Sequence, residues 1–167
     1  MPARHAPTFE ELVERMAALH DRLLRRKLTV AAAESCTGGL LGAVLSAHGG
    51  SSAYFRGGAV VYSNEAKQIL ADVPPQLIHS HGAVSSVVAG ALARGSRARL
   101  EAKIGLGITG ISGPGGATPG KPVGLTYVAV DSDKHSAVKK HLWTYDRAGN
   151  RLASVGAALD LLEDAIA

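Results

Sequence analysis

The chain has a single cysteine, Cys36, in 167 residues, so no disulfide can form within it. Aromatic residues are scarce at 4%, which leaves Ala, Val, Leu and Ile to build the core. No apolar run approaches the roughly 20 residues that cross a bilayer. The first residues, Met1-Pro2-Ala3-Arg4-His5, lack the apolar stretch of a signal peptide, so a cytoplasmic chain without a membrane partner is expected. A basic tract interleaved with aromatics is also missing. The formal net charge of +4 comes from scattered residues, among them Arg22, Arg25, Arg26, Lys27, Arg94, Arg97 and Arg99. Basic residues at helix ends follow from the helix dipole alone, so no nucleic-acid partner is expected. The same charge suits a small phosphorylated substrate. His79 and His81 are spaced like metal ligands but have no acidic or Cys companion nearby, and no metal or cofactor is expected.

What is present reads as one globular domain over residues 1–167, with 46% hydrophobic and 19% charged residues. Thr8 and Glu11 form a capping-box pattern ahead of Leu12, Val13, Met16, Leu19 and Leu23, predicting a helix over 8–26. A short strand is expected over 28–33, a turn over 35–39 and a helix over 40–47. A second strand follows over 56–62. Ser63-Asn64 can cap a short helix, which Pro74-Pro75 breaks. A helix over 84–100 precedes strands at 104–109, 123–130 and 137–143. Asp146 can cap a final helix. Helices alternating with single strands predict an α/β fold with helices packed on a central sheet.

Three unusual loops each follow a predicted strand, where ligands of open α/β sheets bind. In Glu34-Ser35-Cys36-Thr37-Gly38-Gly39, Ser35 can serve as a nucleophile with N–H groups of the following turn holding an oxyanion. Helix caps are commoner than nucleophiles, however, and Ser35 or Thr37 can equally cap the next helix. Cys36 competes with Ser35, since neighbouring residues rarely both face one site. Its expected role is that of a small buried hydrophobe. In Tyr62-Ser63-Asn64-Glu65-Ala66-Lys67, a lysine kept from water can act as a base; taken alone, a solvated helix face accounts for it better. The third loop, Thr109-Gly110-Ile111-Ser112-Gly113-Pro114-Gly115-Gly116, can present N–H groups to an anion. Gly115 with Gly120-Lys121 imitates a P-loop. Pro122 occupies the position of the magnesium-binding hydroxyl and a strand follows, which excludes a nucleotide triphosphatase.

Together the stretches AAAESCTGG (31–39), GSSAYFRGGAVVYSNEAK (50–67), HGAVS (81–85) and GITGISGPGGATPGKPVG (107–124) resemble the C-terminal domain of the CinA (competence/damage-inducible) family. Stand-alone members of that family include nicotinamide-nucleotide amidases. The resemblance covers nearly everything after the first helix. It implies a three-layer α/β/α sandwich around a mixed, mostly parallel sheet. It also implies metal-free hydrolysis of nicotinamide mononucleotide to nicotinate mononucleotide and ammonia. On that pattern Ser35 is the nucleophile, Lys67 its general base and Tyr62 the third catalytic member. Thr37, Gly38, Gly39, Thr109, Gly110, Gly113 and Arg147 are the expected substrate-binding positions. A length of 167 residues leaves no room for the family's additional N-terminal domain, and a homodimer is compatible with a small member. The chain departs from the family at Ser86, where an acidic residue is common, at Tyr145 before Asp146-Arg147, where glycine is typical, and at Asn150, where an apolar residue is usual. The last change is expected to loosen the start of the final helix. Two other readings stay open: a pyridine-nucleotide-binding regulatory module without catalysis, and an amidase for another small amide.

Overall fold

The computed structural model describes residues 5–167; the Met1-Pro2-Ala3-Arg4 stretch read above lies outside them. Helix α1 spans Phe9–Arg26. The Thr8 hydroxyl accepts the Glu11 N–H at 3.1 Å and the Glu11 carboxylate accepts the Thr8 N–H at 2.7 Å, completing the capping box. Strand β1, Val30–Glu34, leads to α2, Leu40–Leu45. Strand β2, Phe55–Val60, leads to α3, Asn64–Ala71, capped by Ser63. The prolines do end α3, but Pro75 also opens α4, Pro75–His81, which sequence reasoning missed. Proline suits the first helical position because the N–H it lacks would be unbonded there anyway. Helix α5, Ser86–Arg99, is followed by β3, Ile104–Gly110, β4, Leu125–Ser132, and β5, Ser136–Leu142. Asp146 caps α6, Arg147–Ala165, accepting the Gly149 N–H at 2.8 Å.

The five strands form one mixed sheet in the order β2-β1-β3-β4-β5. The pairs β1–β2 and β1–β3 are parallel, while β3–β4 and β4–β5 are antiparallel. Hence β4 alone runs against the other four strands. Helices α1, α2 and α6 cover one face, where Leu12, Met16, Leu41, Leu45, Val155 and Leu159 pack with Val30, Leu106 and Val128. Helices α3, α4 and α5 cover the other, with Ala71, Ile78, Val88 and Leu92 against Ala33 and Val61. The result is an α/β/α sandwich.

Strand β3 explains how α5 sits so close. In Ile-Gly-Leu-Gly-Ile, alternate residues face opposite sides of the sheet. Ile104, Leu106 and Ile108 fill the first core. Gly105 and Gly107 lie beneath α5, where an added Cβ would meet the Ala93 carbonyl oxygen at 2.0 Å and that of Ala89 at 2.5 Å. Helix backbone therefore rests directly on strand backbone. This fixes the height of the loop that leaves β3.

Candidate active site

Strands β1, β2 and β3 are parallel neighbours, so the loops after Glu34, Val60 and Gly110 emerge at one edge of the sheet. Strand β5 runs the same way and delivers the start of α6 there too. Between these segments lies a cavity of about 270 Å³, lined by residues including Ser35, Cys36, Tyr62, Lys67, Thr109, Gly110, Ser112, Gly113 and Arg147.

Ser35 directly follows β1, and its N–H donates to the Ile108 carbonyl of β3 at 3.0 Å. Lys67 projects from the first turn of α3 and is 2% exposed. Its ammonium nitrogen lies 3.2 Å from Ser35 Oγ and donates to the Val61 carbonyl at 2.9 Å. The Tyr62 and Ser63 carbonyls lie farther off, at 3.4 and 3.5 Å. Burial, which disfavours the charged form, holds the Lys67 pKa below its ordinary value. A buried amine with a lowered pKa can accept a proton from a serine hydroxyl beside it.

Cys36 also lines the cavity, so both neighbours do reach one site. Burial raises the thiol pKa, however. Burial thus disfavours the thiolate, and the sulfur is the weaker candidate.

Tyr62 stands at the mouth, 60% exposed. Its hydroxyl accepts from Arg147 Nη2 at 3.0 Å, and Arg147 Nη1 donates to the Gly113 carbonyl at 2.7 Å. The part of Tyr62 bonded to Lys67 is thus its backbone carbonyl. Thr109 is buried and its hydroxyl donates to the Ala83 carbonyl at 2.8 Å, while Gly110 and Gly113 form the cavity wall.

Thr37, Gly38 and Gly39 do not line the cavity; they form the back of the turn that follows Ser35. Thr37 is fully buried, and its hydroxyl donates to Glu34 Oε1 at 2.7 Å. The Gly38 N–H is spent on the Ser35 carbonyl at 3.1 Å. Neither Ser35 nor Thr37 caps α2. That role falls to the buried Glu34 carboxylate, which also accepts the Leu41 N–H at 2.9 Å and the Gly42 N–H at 3.0 Å. An anion suits the positive end of a helix.

Sequence reasoning also missed Ser112 as a separate site residue. Its hydroxyl is buried, lines the cavity and interacts with the Cys36 thiol. Asn150 does not loosen α6. It is 1% exposed, donates to the Ser112 carbonyl at 3.0 Å and accepts the Tyr145 N–H at 3.1 Å. Polarity that looked like a defect ties the helix to the third loop. His79 and His81 are exposed on α4. Lys121 of the P-loop imitation donates to the His81 carbonyl at 2.7 Å. Among the described residues no cluster of three or more His, Cys, Asp or Glu side chains is suited to a metal ion, and no helix is long and apolar enough to cross a membrane.

The family model for the CinA C-terminal domain matches residues 13–166. The chain belongs to the CinA family. It is 53% identical over 137 residues to a CinA-like protein of Acidobacterium capsulatum, a match covering 82% of this chain and 33% of that protein. A CinA-like protein of Koribacter versatilis is 51% identical over 140 residues, covering 84% of this chain and 34% of the relative. The chain therefore spans about a third of the length of these curated CinA relatives. Among solved CinA structures, the competence/damage inducible protein of Agrobacterium tumefaciens superimposes with a TM-score of 0.90 at 33% identity, covering 97% of this chain and 98% of that one. A CinA superfamily protein of Escherichia coli gives 0.87 at 30% identity, covering 95% and 90%. The mixed-sheet α/β fold is the fold of that superfamily.

Proposed function

We propose that this CinA domain is an amidase that hydrolyses the carboxamide of nicotinamide mononucleotide, with Ser35 as nucleophile and Lys67 as base. The observation that carries the reading is the 3.2 Å contact between a buried, depressed-pKa lysine and the serine at the end of β1. In the proposed reaction neutral Lys67 takes the Ser35 proton as Oγ bonds to the carboxamide carbon. The C–N bond then breaks and the nitrogen leaves as ammonia, carrying the proton that Lys67 returns. Water, deprotonated by the same amine, cleaves the resulting ester and frees the carboxylate. Among the described residues the Cys36 N–H donates to no backbone carbonyl and, adjoining the nucleophile, is the natural donor to the oxyanion. The Ser112 hydroxyl, beside the Cys36 thiol on the cavity wall, is placed to bond the carboxamide. Donors of Arg147 not used by Gly113 and Tyr62 are available to the phosphate at the mouth. The chemistry uses neither a metal nor a cofactor.

The test is ammonia release from nicotinamide mononucleotide by the purified chain, beside Ser35→Ala and Lys67→Ala. Release by wild type, with both variants folded and inactive, is the expected result. Comparable release by Ser35→Ala would remove the serine from its role. No release by folded wild type would remove the amidase reading.

A further inference from the structure

The direct side-chain bond between the first two site loops is the one from Lys67 to Ser35. A further set of bonds comes from the first turn and a half of α6. Arg147 grips Gly113 and Tyr62, Asn150 grips Ser112, and Arg151 grips the nucleophile turn itself. Residues three and four apart share a helix face, so Arg147, Asn150 and Arg151 meet the site as one surface.

Arg151 makes the most specific of these contacts. Its Nε donates to the Cys36 carbonyl and its Nη2 to the Thr37 carbonyl, both at 3.1 Å. One planar guanidinium thus fixes two consecutive peptide groups just past Ser35. In a trans peptide the N–H points opposite the C=O, so holding the Thr37 carbonyl also aims the Gly38 N–H. That N–H closes on the Ser35 carbonyl at 3.1 Å, which in turn aims the Cys36 N–H away from the turn. Gly38, at φ +59°, leaves room for the clamp: a Cβ there would lie 3.0 Å from Arg151 Nη2.

We propose that Arg151 is a positioning residue that holds the Ser35–Gly38 turn in the geometry presenting the nucleophile and the Cys36 N–H. It touches neither substrate nor reacting atoms in this role. The inference rests on the amidase reading for its kinetic consequence but not for its structural one.

Two measurements separate the two. Amide hydrogen exchange at residues 36–38 is followed in wild type, Arg151→Met and Arg151→Lys; activity on nicotinamide mononucleotide is followed in parallel. Faster exchange confined to the turn is expected in Arg151→Met, with kcat reduced about 10- to 100-fold, a part of the loss seen when an oxyanion donor is removed. KM should stay within about twofold, and added guanidinium ion should restore part of kcat. Unchanged exchange at 36–38, or kcat within threefold of wild type in an active protein, would overturn the proposal. So would exchange that rises across all of α6 while kcat per folded molecule is kept, since that marks a merely structural arginine. Should Arg151→Met fail to fold, Arg151→Lys, which keeps charge and stem but not the fork, decides by the same criteria. A wild type inactive on this substrate would remove the amidase reading and leave the exchange measurement to decide the clamp.

Discussion

Glu34→Gln would keep the shape of a buried side chain and abolish one of its hydrogen bonds. The carboxylate accepts three: Thr37 Oγ1 and the Leu41 N–H on Oε1, and the Gly42 N–H on Oε2. A glutamine oriented to keep the first two turns its NH₂ toward the Gly42 N–H, donor against donor. Loss of one hydrogen bond to a charged group costs about 1.5–3 kcal/mol. The remaining two weaken toward neutral strength, and the favourable charge at the start of α2 adds about 0.3–1 kcal/mol to the loss. Gly42 is only half-buried, so water offsets part of this, and a net destabilisation of about 3 kcal/mol is expected. At about 2–4 °C per kcal/mol for a domain of this size, Tm should fall by about 6–12 °C. Calorimetric melting of Glu34→Gln checks this, with Glu65→Gln as the control. Glu65 is exposed, and its substitution should stay within about 0.5 kcal/mol. A fall below 2 °C for Glu34→Gln, or equal falls for both variants, would refute the assignment of Glu34 as the cap that builds the turn after Ser35.

Three further predictions concern the lysine and the final helix. If neutral Lys67 is the base, kcat/KM should rise with pH on an acidic limb whose midpoint lies below 10.5, the ordinary lysine value; a rate independent of pH below neutrality would contradict this. The same group predicts a stability difference. Between the lowered folded pKa and 10.5 the unfolded chain binds the extra proton, so wild type should gain stability relative to Lys67→Met as pH rises through that window, as denaturant titrations at several pH values would show. Asn150→Leu installs the apolar residue usual in the family but removes the donor to the Ser112 carbonyl and the amide oxygen that accepts the Tyr145 N–H. A loss of about 2–4 kcal/mol in urea unfolding is expected, and a stability gain would refute the bonding given to Asn150.

The elements of the fold were legible because their signals are local. Capping side chains announced α1, α3 and α6, and apolar runs marked the strands. Helix α4 was hidden by its own first residue, since Pro75 reads as a breaker unless the chain is known to turn helical after it. The reversed direction of β4 left no local trace, because strand direction depends on which edge a strand joins. In the site, residue types alone favoured a cap at Ser35 or Thr37, and the resemblance singled out the serine and lysine. The Glu34 contacts explain why the cap signal misled: the carboxylate preceding the turn satisfies the helix start. Asn150 stood out only as a departure from the family, and its Ser112 partner and both partners of Arg151 lie 38 or more residues away, beyond any local signal.

A lysine can be a base in this cavity only if no carboxylate joins it there, and the strand geometry of β1 arranges that. Glu34 and Ser35 are adjacent, so their side chains leave the end of β1 on opposite sides. The serine turns toward α3 and Lys67; the glutamate turns toward α2, where three donors occupy its oxygens. Glu65 lies closer to Lys67 in sequence but is exposed, where solvent screens its pull on the amine. A one-residue slip of β1 would exchange the two faces and place the carboxylate beside the lysine, trapping it as an ammonium ion. The register of β1 between β2 and β3, Glu34 opposite Val60 and Ile108, is therefore a condition of the proposed chemistry as much as of the fold.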